Sequence, residues 1–251
     1  MATTKQEMDS KLAPGEARSR GKQIQELLDD ETVEVPWQLR DADYTYLGSE
    51  PLDRDHYISQ EWCDKEIENL WSRVWQLACF EQDIPEVGDH IVYDIVDWSF
   101  ILVRTEPDTI KAFYNSCLHR GRRLCTNELE PANKPEFRCP FHGISWNING
   151  SLKAIPPSIE FDFPHVNKEE FGLPEVRCER WDGFVFINID DDAEPLMDFL
   201  GGITKHFERW PFANRWKATH SAKIVDSNWK LAQEAFMEAF HVLATHPQMS
   251  I

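Results

Sequence analysis

The sequence of 251 residues predicts an α+β fold, with a small antiparallel β domain in the middle of the chain and helices on both sides. Three observations lead to this prediction. Short apolar runs, separated by closely spaced turn residues, occupy roughly residues 80–165 and are typical of an antiparallel domain. Apolar residues recur with helical spacing before this region and again near the end of the chain. Ten Trp and fifteen Phe supply bulky side chains for a core.

The helix before the β domain is predicted from the residues that follow Glu61. Its apolar side chains have the i, i+3, i+4, i+7, i+8 spacing of one helix face, and they are Ile67, Leu70, Trp71, Val74 and Trp75. Residues 1 to about 35 are polar and contain Gly, Pro and mixed charge. They predict a flexible arm with one short helix near Ile24–Leu28.

The strands are predicted from a change of period near residue 85. His90–Thr105 is rich in Ile, Val, Tyr and Phe, and it predicts two strands broken near Asp97. Asn149 and Gly150 follow a strand-like run, and this dipeptide is a strong signal for a β-hairpin. Further short strands are predicted at Ile110–Tyr114, Phe137–Arg138, Ser145–Ile148 and Gly183–Ile189.

A second helix is predicted for Asn228–His246, and Pro247 ends it. Its apolar face consists of Trp229, Ala232, Ala235, Phe236, Ala239, Phe240 and Leu243. A polar stripe runs along the same helix at i, i+4, i+7 and i+11, formed by Glu234, Glu238, His241 and Thr245. Buried carboxylates and imidazoles are costly without partners, so the stripe indicates either a solvated helix face or a functional site.

The composition argues against several kinds of partner. The formal net charge of -18 at pH 7 argues against nucleic acid and against an anionic membrane. No run approaches the ~18–20 apolar residues of a membrane span, and the first residues lack the apolar centre of a signal peptide. Six Cys are too few for a disulfide scaffold. We therefore expect a cytoplasmic protein, in which Cys63, Cys79, Cys125 and Cys178 are buried or half-buried thiols.

Two Cys and two His lie on neighbouring segments. Cys117 and His119 form C-x-H, and after 19 residues Cys139 and His142 form C-x-x-H. Each segment supplies one ligand of each type, which suits a [2Fe–2S] cluster with Cys on one iron and His on the other. Zinc sites more often pair Cys with Cys and His with His. A zinc ribbon, or four unrelated residues, remain as alternatives.

Glycines flank both segments. Gly121 and Gly143 lie close to the two His residues, where they permit tight turns and allow backbone N–H groups to point at cluster sulfurs. With these flanks the segments resemble the Rieske family closely. The resemblance implies that the cluster ligands are Cys117, His119, Cys139 and His142.

The neighbouring residues distinguish branches of this family. Respiratory Rieske proteins carry one more Cys in each segment, joined as a disulfide, and a Ser after the second His-Gly. Here Ile144 follows Gly143, and Cys125 has no partner in the other segment. The chain therefore resembles the oxygenase or ferredoxin branch. Fewer hydrogen bonds to the sulfurs predict a potential toward the bottom of the roughly −150 to +300 mV range.

Residues 228–247 resemble the mononuclear iron motif of Rieske oxygenase catalytic subunits, N-W-K followed by E-x-F-x-[DE]-x-[FY]-H-x4-H. The resemblance implies that His241 and His246 are two ligands of an Fe(II) site with two His and one carboxylate. It also implies a catalytic role for Glu238, which would connect the cluster of one subunit to the iron of its neighbour. Residues five apart lie about 140° apart on a regular helix, so we expect the helix to be distorted or to end near His246.

Three features qualify this resemblance. Glu238 stands where Asp is more common, and Ala235 stands where many relatives have Asn. The third iron ligand lies far downstream in the family, so we expect the chain to be the N-terminal portion of a longer subunit and to be inactive alone. Glu238 and His241 also fit one Glu-x-x-His of a di-iron protein, but that fold needs a second copy, and the sequence has none.

The resemblance implies a fold in which an antiparallel β Rieske domain is followed by the start of a helix-plus-antiparallel-sheet catalytic domain of the helix-grip type. The expected divisions are 1–40, a flexible N-terminal arm; 41–79, a helical lead segment; 80–165, the Rieske [2Fe–2S] domain; and 166–251, the incomplete beginning of the mononuclear-iron catalytic domain.

The implied function is that of a terminal oxygenase component, which uses O2 to hydroxylate or demethylate an organic substrate. NAD(P)H electrons would arrive through a separate reductase, directly or through a ferredoxin. A homotrimer is implied, with or without a beta subunit, because the electron path runs between subunits. The alternative is a Rieske electron-transfer protein without oxygenase chemistry, for which residues 166–251 would have no use.

Overall fold

The computed structural model describes residues 24–40, 50–126, 132–160, 163–239 and 241–249. The helices are α1 Ile24–Asp29, α2 Trp37–Arg40, α3 Asp55–Ile58, α4 Gln60–Glu66, α5 Pro157–Glu160, α6 Leu196–Leu200, α7 Gly202–His206, α8 Trp229–Glu234 and α9 Val242–Thr245. The strands are β1 Gln76–Phe80, β2 Asp89–Ile95, β3 Trp98–Glu106, β4 Thr109–Tyr114, β5 Ala132–Asn133, β6 Glu136–Arg138, β7 Ser145–Asn147, β8 Leu152–Ala154, β9 Glu175–Trp181 and β10 Phe184–Asn188.

The strands form two antiparallel sheets. The larger sheet has the order β1-β10-β9-β4-β3-β2-β5, and the smaller has the order β6-β7-β8. Strands β2 and β3 pair from His90↔Val103 to Ile95↔Trp98, so the break predicted near Asp97 is confirmed. Antiparallel sheets with separate helices confirm the predicted α+β class.

Strand β3 is buried on both faces. Ile101 and Val103 belong to one core, which also contains residues of the smaller sheet, whereas Phe100 and Leu102 belong to a second core. Successive residues of a strand point to opposite faces. The apolar residues of this strand are therefore continuous rather than alternating. Cys117 and Cys139 are members of the first core.

The segment before the first strand is less regular than predicted. Helix α1 confirms the short helix expected near Ile24–Leu28. The helix expected after Glu61 is present as α4, but it continues only as one π-helical turn, Ile67–Trp71, and β1 begins soon after it. Neither β1 nor β9 was predicted. Strand β1 pairs with β10, which is distant in the chain, and β9 pairs with the distant β4 as well as with β10, the next strand along the chain.

The single helix predicted for Asn228–His246 is wrong. Helix α8 ends at Glu234, residues 235–239 are not helical, and α9 starts only at Val242. Phe236 is 91% exposed and Met237 is 74% exposed. Packing of an apolar face supplies most of a helix's stability in a protein, and these side chains have no such packing.

The chain separates into two units. One consists of residues 1–52 and 197–211, and its described part contains salt bridges from Arg209 to Glu31 and from Lys205 to Glu34. The other consists of residues 53–196 and 212–251 and contains both sheets. The domain boundaries at 40, 79 and 165 stay predictions. Within the described ranges no helix is long and apolar enough to cross a membrane.

Candidate metal sites

Two loops with the same hydrogen-bond pattern carry the Cys and His residues. The first loop follows β4, and the second joins β6 to β7. In each loop the cysteine N–H donates to the carbonyl five residues on, at 2.9 Å for Cys117 and 2.8 Å for Cys139. The N–H of the glycine four residues after each cysteine donates to the carbonyl of that cysteine. The N···O distance is 2.8 Å from Gly121 to Cys117 and 3.0 Å from Gly143 to Cys139. Both glycines have positive φ, 68° and 80°, a conformation that costs other residues about 1–2 kcal/mol.

The loops bring two thiols and two imidazoles together. Cys117 and Cys139 are each 2% exposed, and their thiols are within hydrogen-bonding reach of each other. Burial raises the pKa of the Cys117 thiol, whereas the backbone N–H groups of His119 and Arg120, which donate to its sulfur, oppose that rise. His119 Nδ1 and His142 Nδ1 are 3.1 Å apart. The four predicted residues thus form a sulfur pair and an imidazole pair.

This arrangement fits a [2Fe–2S] cluster better than a single ion. Among the described residues, no three His, Cys, Asp or Glu side chains converge on a position for one metal ion. A Rieske cluster instead takes two Cys on one iron and two His on the other. The sulfur pair and the imidazole pair match that division, and the N–H groups that face Cys117 would stabilise its thiolate.

Aromatic rings flank both imidazoles. Phe163 meets the His119 ring edge-on with centroids 5.3 Å apart, and Phe141 lies 4.0 Å from the His142 ring. Phe163 packs against the core that contains the two cysteines, whereas Phe141 is 60% exposed. The imidazole pair is therefore nearer to solvent than the sulfur pair.

Asn115 holds the first loop, although no sequence motif singles it out. Its side chain is buried, and Oδ1 accepts the N–H groups of Leu124 at 3.0 Å and Cys125 at 2.9 Å. Its Nδ2 donates to the Cys125 carbonyl at 2.8 Å and to Ser99 Oγ at 3.0 Å. One amide thus joins the end of β4 to the end of the loop. Its place two residues before the first cysteine is the only sequence signal.

Asn115→Ala is expected to lower the free energy of unfolding by about 2–4 kcal/mol, because two buried N–H groups would lose their acceptor. Chemical denaturation measures this loss. The matched control is Asn69→Ala, since Asn69 is an exposed residue that donates only to the Lys65 carbonyl. The control should change stability by less than about 0.5 kcal/mol. Equal losses in the two variants would contradict the role of Asn115.

The second predicted group lies around α9. His241 and His246 flank this helix as its N-cap and C-cap, and their ring centroids are 5.6 Å apart. His246 has φ −128° and ψ 54°, so it leaves the helical path. The expected end of the helix near this residue is confirmed, and it brings the two imidazoles near each other.

Glu238 contacts His241 through both carboxylate oxygens. Oε1 is 2.5 Å from His241 Nδ1, and Oε2 accepts the His241 backbone N–H at 3.2 Å. An ionised carboxylate only accepts hydrogen bonds, so Nδ1 donates the hydrogen, and in the neutral imidazole Nε2 has the lone pair that a metal would bind. These residues fit two imidazole ligands and an orienting carboxylate. In the described part of the chain, no third ligand joins His241 and His246 at one ion.

The remaining cysteines lie outside both groups. Cys79 and Cys125 are buried and Cys178 is half-buried, as predicted, but Cys63 is exposed because its helix α4 has no buried residues. Burial raises the pKa of all three shielded thiols, that of Cys178 to about 12. These thiols are therefore poor nucleophiles.

Two family models match the chain. One is described as a Rieske [2Fe-2S] domain and matches residues 74–165. The other is described as a ring hydroxylating alpha subunit (catalytic domain) and matches residues 207–250. The first range contains both loops, and the second contains Glu238, His241 and His246. Together the two matches imply a [2Fe–2S] cluster and a mononuclear iron.

Relatives of the chain are named as subunits of oxygenases. The chain is 29% identical over 224 residues to the biphenyl 2,3-dioxygenase subunit alpha of Rhodococcus jostii. This match covers 84% of this chain and 46% of the relative. It is 30% identical over 196 residues to the carnitine monooxygenase oxygenase subunit of Escherichia coli. This match covers 77% of this chain and 51% of the relative. The chain thus spans about half the length of the curated relatives it matches.

Solved structures share the fold. A quaternary ammonium Rieske monooxygenase superposes with a TM-score of 0.71 at 24% identity, covering 78% of this chain and 54% of that chain. Naphthalene 1,2-dioxygenase from Rhodococcus sp., bound to indole, gives a TM-score of 0.65 at 30% identity, covering 75% of this chain and 44% of that chain. The chain therefore carries a Rieske [2Fe-2S] domain and part of a ring-hydroxylating alpha-subunit catalytic domain, and the relatives that it matches over their N-terminal part are Rieske oxygenase alpha subunits.

Proposed function

We propose that this chain provides the electron-accepting domain and part of the iron site of a terminal oxygenase, which uses O2 to hydroxylate or demethylate an organic substrate. The observation that carries the proposal is the pairing of Cys117 with Cys139 and of His119 with His142 by two alike loops. The match of residues 207–250 to an oxygenase catalytic domain favours this function over an electron carrier without its own chemistry.

We assign cluster binding to Cys117, His119, Cys139 and His142. When bound, the cluster would supply one-electron transfer and the iron would supply activation of O2. The buried cysteines hold the inner side of the cluster site, and N–H donors stabilise the Cys117 sulfur. The imidazole pair lies beside exposed Phe141, so electrons are expected to enter and leave on that side.

We assign iron binding to His241 and His246 and a catalytic role to Glu238. The Glu238 carboxylate holds the hydrogen at His241 Nδ1, which orients the ring and keeps Nε2 available for iron. In an assembly of subunits, the same carboxylate would accept a hydrogen bond from an imidazole of the neighbouring cluster domain. This second contact would make Glu238 the connection between the two metal sites.

The proposed partners follow from this electron path. Electrons would come from NAD(P)H through a reductase, directly or through a ferredoxin. A path between subunits requires a head-to-tail assembly, and such contacts close into rings, so we propose a homotrimer, with or without a beta subunit. One relative is named for biphenyl and another for carnitine, which leaves the substrate unassigned. A cytoplasmic location stays a prediction from the sparse, unpaired cysteines.

The test is iron and acid-labile sulfide per chain, measured on anaerobically purified protein before and after addition of Fe(II). We expect about two sulfides with an equal amount of iron, and about one further iron after the addition. The double variant His241→Ala/His246→Ala should keep the sulfide and lose the further iron. His165→Ala, at an exposed position, is the matched control and should keep both. Zinc without sulfide would contradict the proposal.

A further inference from the structure

Helix α8 leads into the proposed iron segment, yet none of its residues is buried. Leu231 within the helix is 48% exposed, and Phe236 just after it is almost fully exposed. A helix of this length needs tertiary contacts to persist. Because core burial is absent here, polar contacts with another part of the same unit have to hold α8 in place.

Tyr57 of α3 contacts both ends of α8. Asn228, the N-cap, accepts the Lys230 N–H at 3.0 Å and donates through Nδ2 to the Tyr57 carbonyl at 2.9 Å. The Tyr57 hydroxyl donates to Glu234 Oε1, in the last turn, at 2.9 Å. This carboxylate raises the pKa of Tyr57. A single residue therefore holds the helix at its first and last turns, with the Lys230 ammonium 5.8 Å from its ring centroid.

Glu66 of α4 contacts the first turn of α8. Its carboxylate accepts from Trp229 Nε1 at 2.8 Å and forms a short ion pair with Lys230. Burial opposes ionisation of Glu66, but the hydrogen bonds from Lys230 and Trp229 outweigh it and lower its pKa. Trp71, just after α4, packs edge-on against Trp229 with centroids 5.0 Å apart. The contact between Glu66 and Trp229 joins residues that are 163 positions apart in the chain, and the contact between Tyr57 and Glu234 joins residues that are 177 positions apart.

The position of α8 determines where the proposed iron segment begins. Glu234, held by Tyr57, precedes Glu238 by four residues and His241 by seven. We propose that Tyr57 and Glu66 are positioning residues for this segment, so that its affinity for Fe(II) depends on the helices that precede the Rieske domain. This proposal rests on the proposed function, because it takes His241 and His246 as the iron ligands.

The test is Tyr57→Phe in the full 251-residue chain. This change removes the hydroxyl contact to Glu234 but keeps the ring and the backbone carbonyl. Loss of a hydrogen bond to a carboxylate that supports a metal site is expected to weaken Fe(II) binding about tenfold. The dissociation constant is measured by competition with a chelator, and hydrogen exchange of residues 229–249 should become faster. Sulfide content and the unfolding midpoint of the β domain should not change.

Tyr93→Phe is the matched control. Its hydroxyl also donates to a side-chain oxygen, Gln76 Oε1 at 3.1 Å, but it lies on β2, so Fe(II) affinity should be unchanged. Glu66→Gln should weaken Fe(II) binding as well, whereas Glu68→Gln, at an exposed position of the π-helical turn that follows α4, should not.

The outcomes separate this proposal from the proposed function. Positioning by Tyr57 is supported if the unaltered chain binds Fe(II) beyond its cluster and Tyr57→Phe binds it more weakly, whereas Tyr93→Phe does not. Equal Fe(II) affinity in Tyr57→Phe and the unaltered chain overturns the positioning role and leaves the proposed function intact. An unaltered chain that binds no iron beyond its sulfide content overturns the iron site, and the positioning role with it.

Discussion

Cys139→Ala is expected to reduce acid-labile sulfide from about two per chain to near zero. Cys139 is almost fully buried beside Cys117 in the core that joins the two sheets. Removal of one thiol would leave one iron with a single protein ligand, and the space is closed to solvent ligands. Sulfide and iron determinations, with the visible absorption of the cluster, measure this loss. Cys117→Ala should have the same effect.

Cys63→Ala is the control for these variants. Cys63 is exposed on α4, so its replacement removes a thiol of the same chemical type without touching either loop. Sulfide should stay at about two per chain in this variant. Retention of sulfide in Cys139→Ala, or its loss in Cys63→Ala, would refute the assignment of the two loops as the cluster site.

Gly150→Ala is expected to lower the free energy of unfolding by about 2–5 kcal/mol. Gly150 lies in the β7–β8 turn with φ 85°, and a Cβ there would lie 2.4 Å from Phe113 Cε1 and 2.8 Å from Cζ. Phe113 is 1% exposed and belongs to the same core as Cys117 and Cys139. The Gly150 carbonyl also accepts the Leu173 N–H at 2.8 Å, which opposes a shift of the turn. Overpacking costs about 1–3 kcal/mol, and the left-handed conformation adds about 1–2 kcal/mol.

Gly121→Ala separates the two contributions. Gly121 also has a positive φ, 68°, but its Cβ would meet only Ser116 Oγ, at 3.8 Å. This variant should therefore lose about 1–2 kcal/mol from backbone strain alone. Urea unfolding of both variants gives the difference, which measures the clash with Phe113. Equal losses would show that the core yields to the added methyl group.

The cluster motif was accessible from the sequence because its parts are local. Each loop places a cysteine, a histidine and a glycine within five residues, and the loop closes by hydrogen bonds to its own cysteine. The same holds for the β2–β3 hairpin and for the short helix α1. Such features depend on neighbours in the chain, so residue type and spacing are enough to predict them.

The role of Asn115 could not be predicted from neighbouring residues in the sequence. Its amide takes its partners from Leu124 and Cys125, 9 and 10 residues later, and the return of the loop creates that contact. Strands β1 and β9 are similar, because β1 pairs with β10 about 100 residues away. Strand β1 is short and lacks β-branched residues, and β9 mixes apolar and charged residues, so neither is predicted as a strand without its partner.

The prediction of a helix over Asn228–His246 was wrong because the apolar pattern is present but the middle of it is not covered. Its apolar period was correct as a pattern, but an amphipathic helix forms where its apolar face is covered, and Phe236 and Met237 are exposed here. The position of α8 depends instead on Tyr57 and Glu66, which no periodicity connects with residue 230.

By itself, the sequence determined the α+β class, the donor types of both candidate metal sites and the glycines that shape the cluster loops, because these are properties of short segments. Only the tertiary structure decided how close the two thiols and the two imidazoles lie, that Asn115 closes the first loop, and that Tyr57 holds α8. Each of these depends on distances between residues far apart in the chain, and such distances are set by the packing of the whole unit.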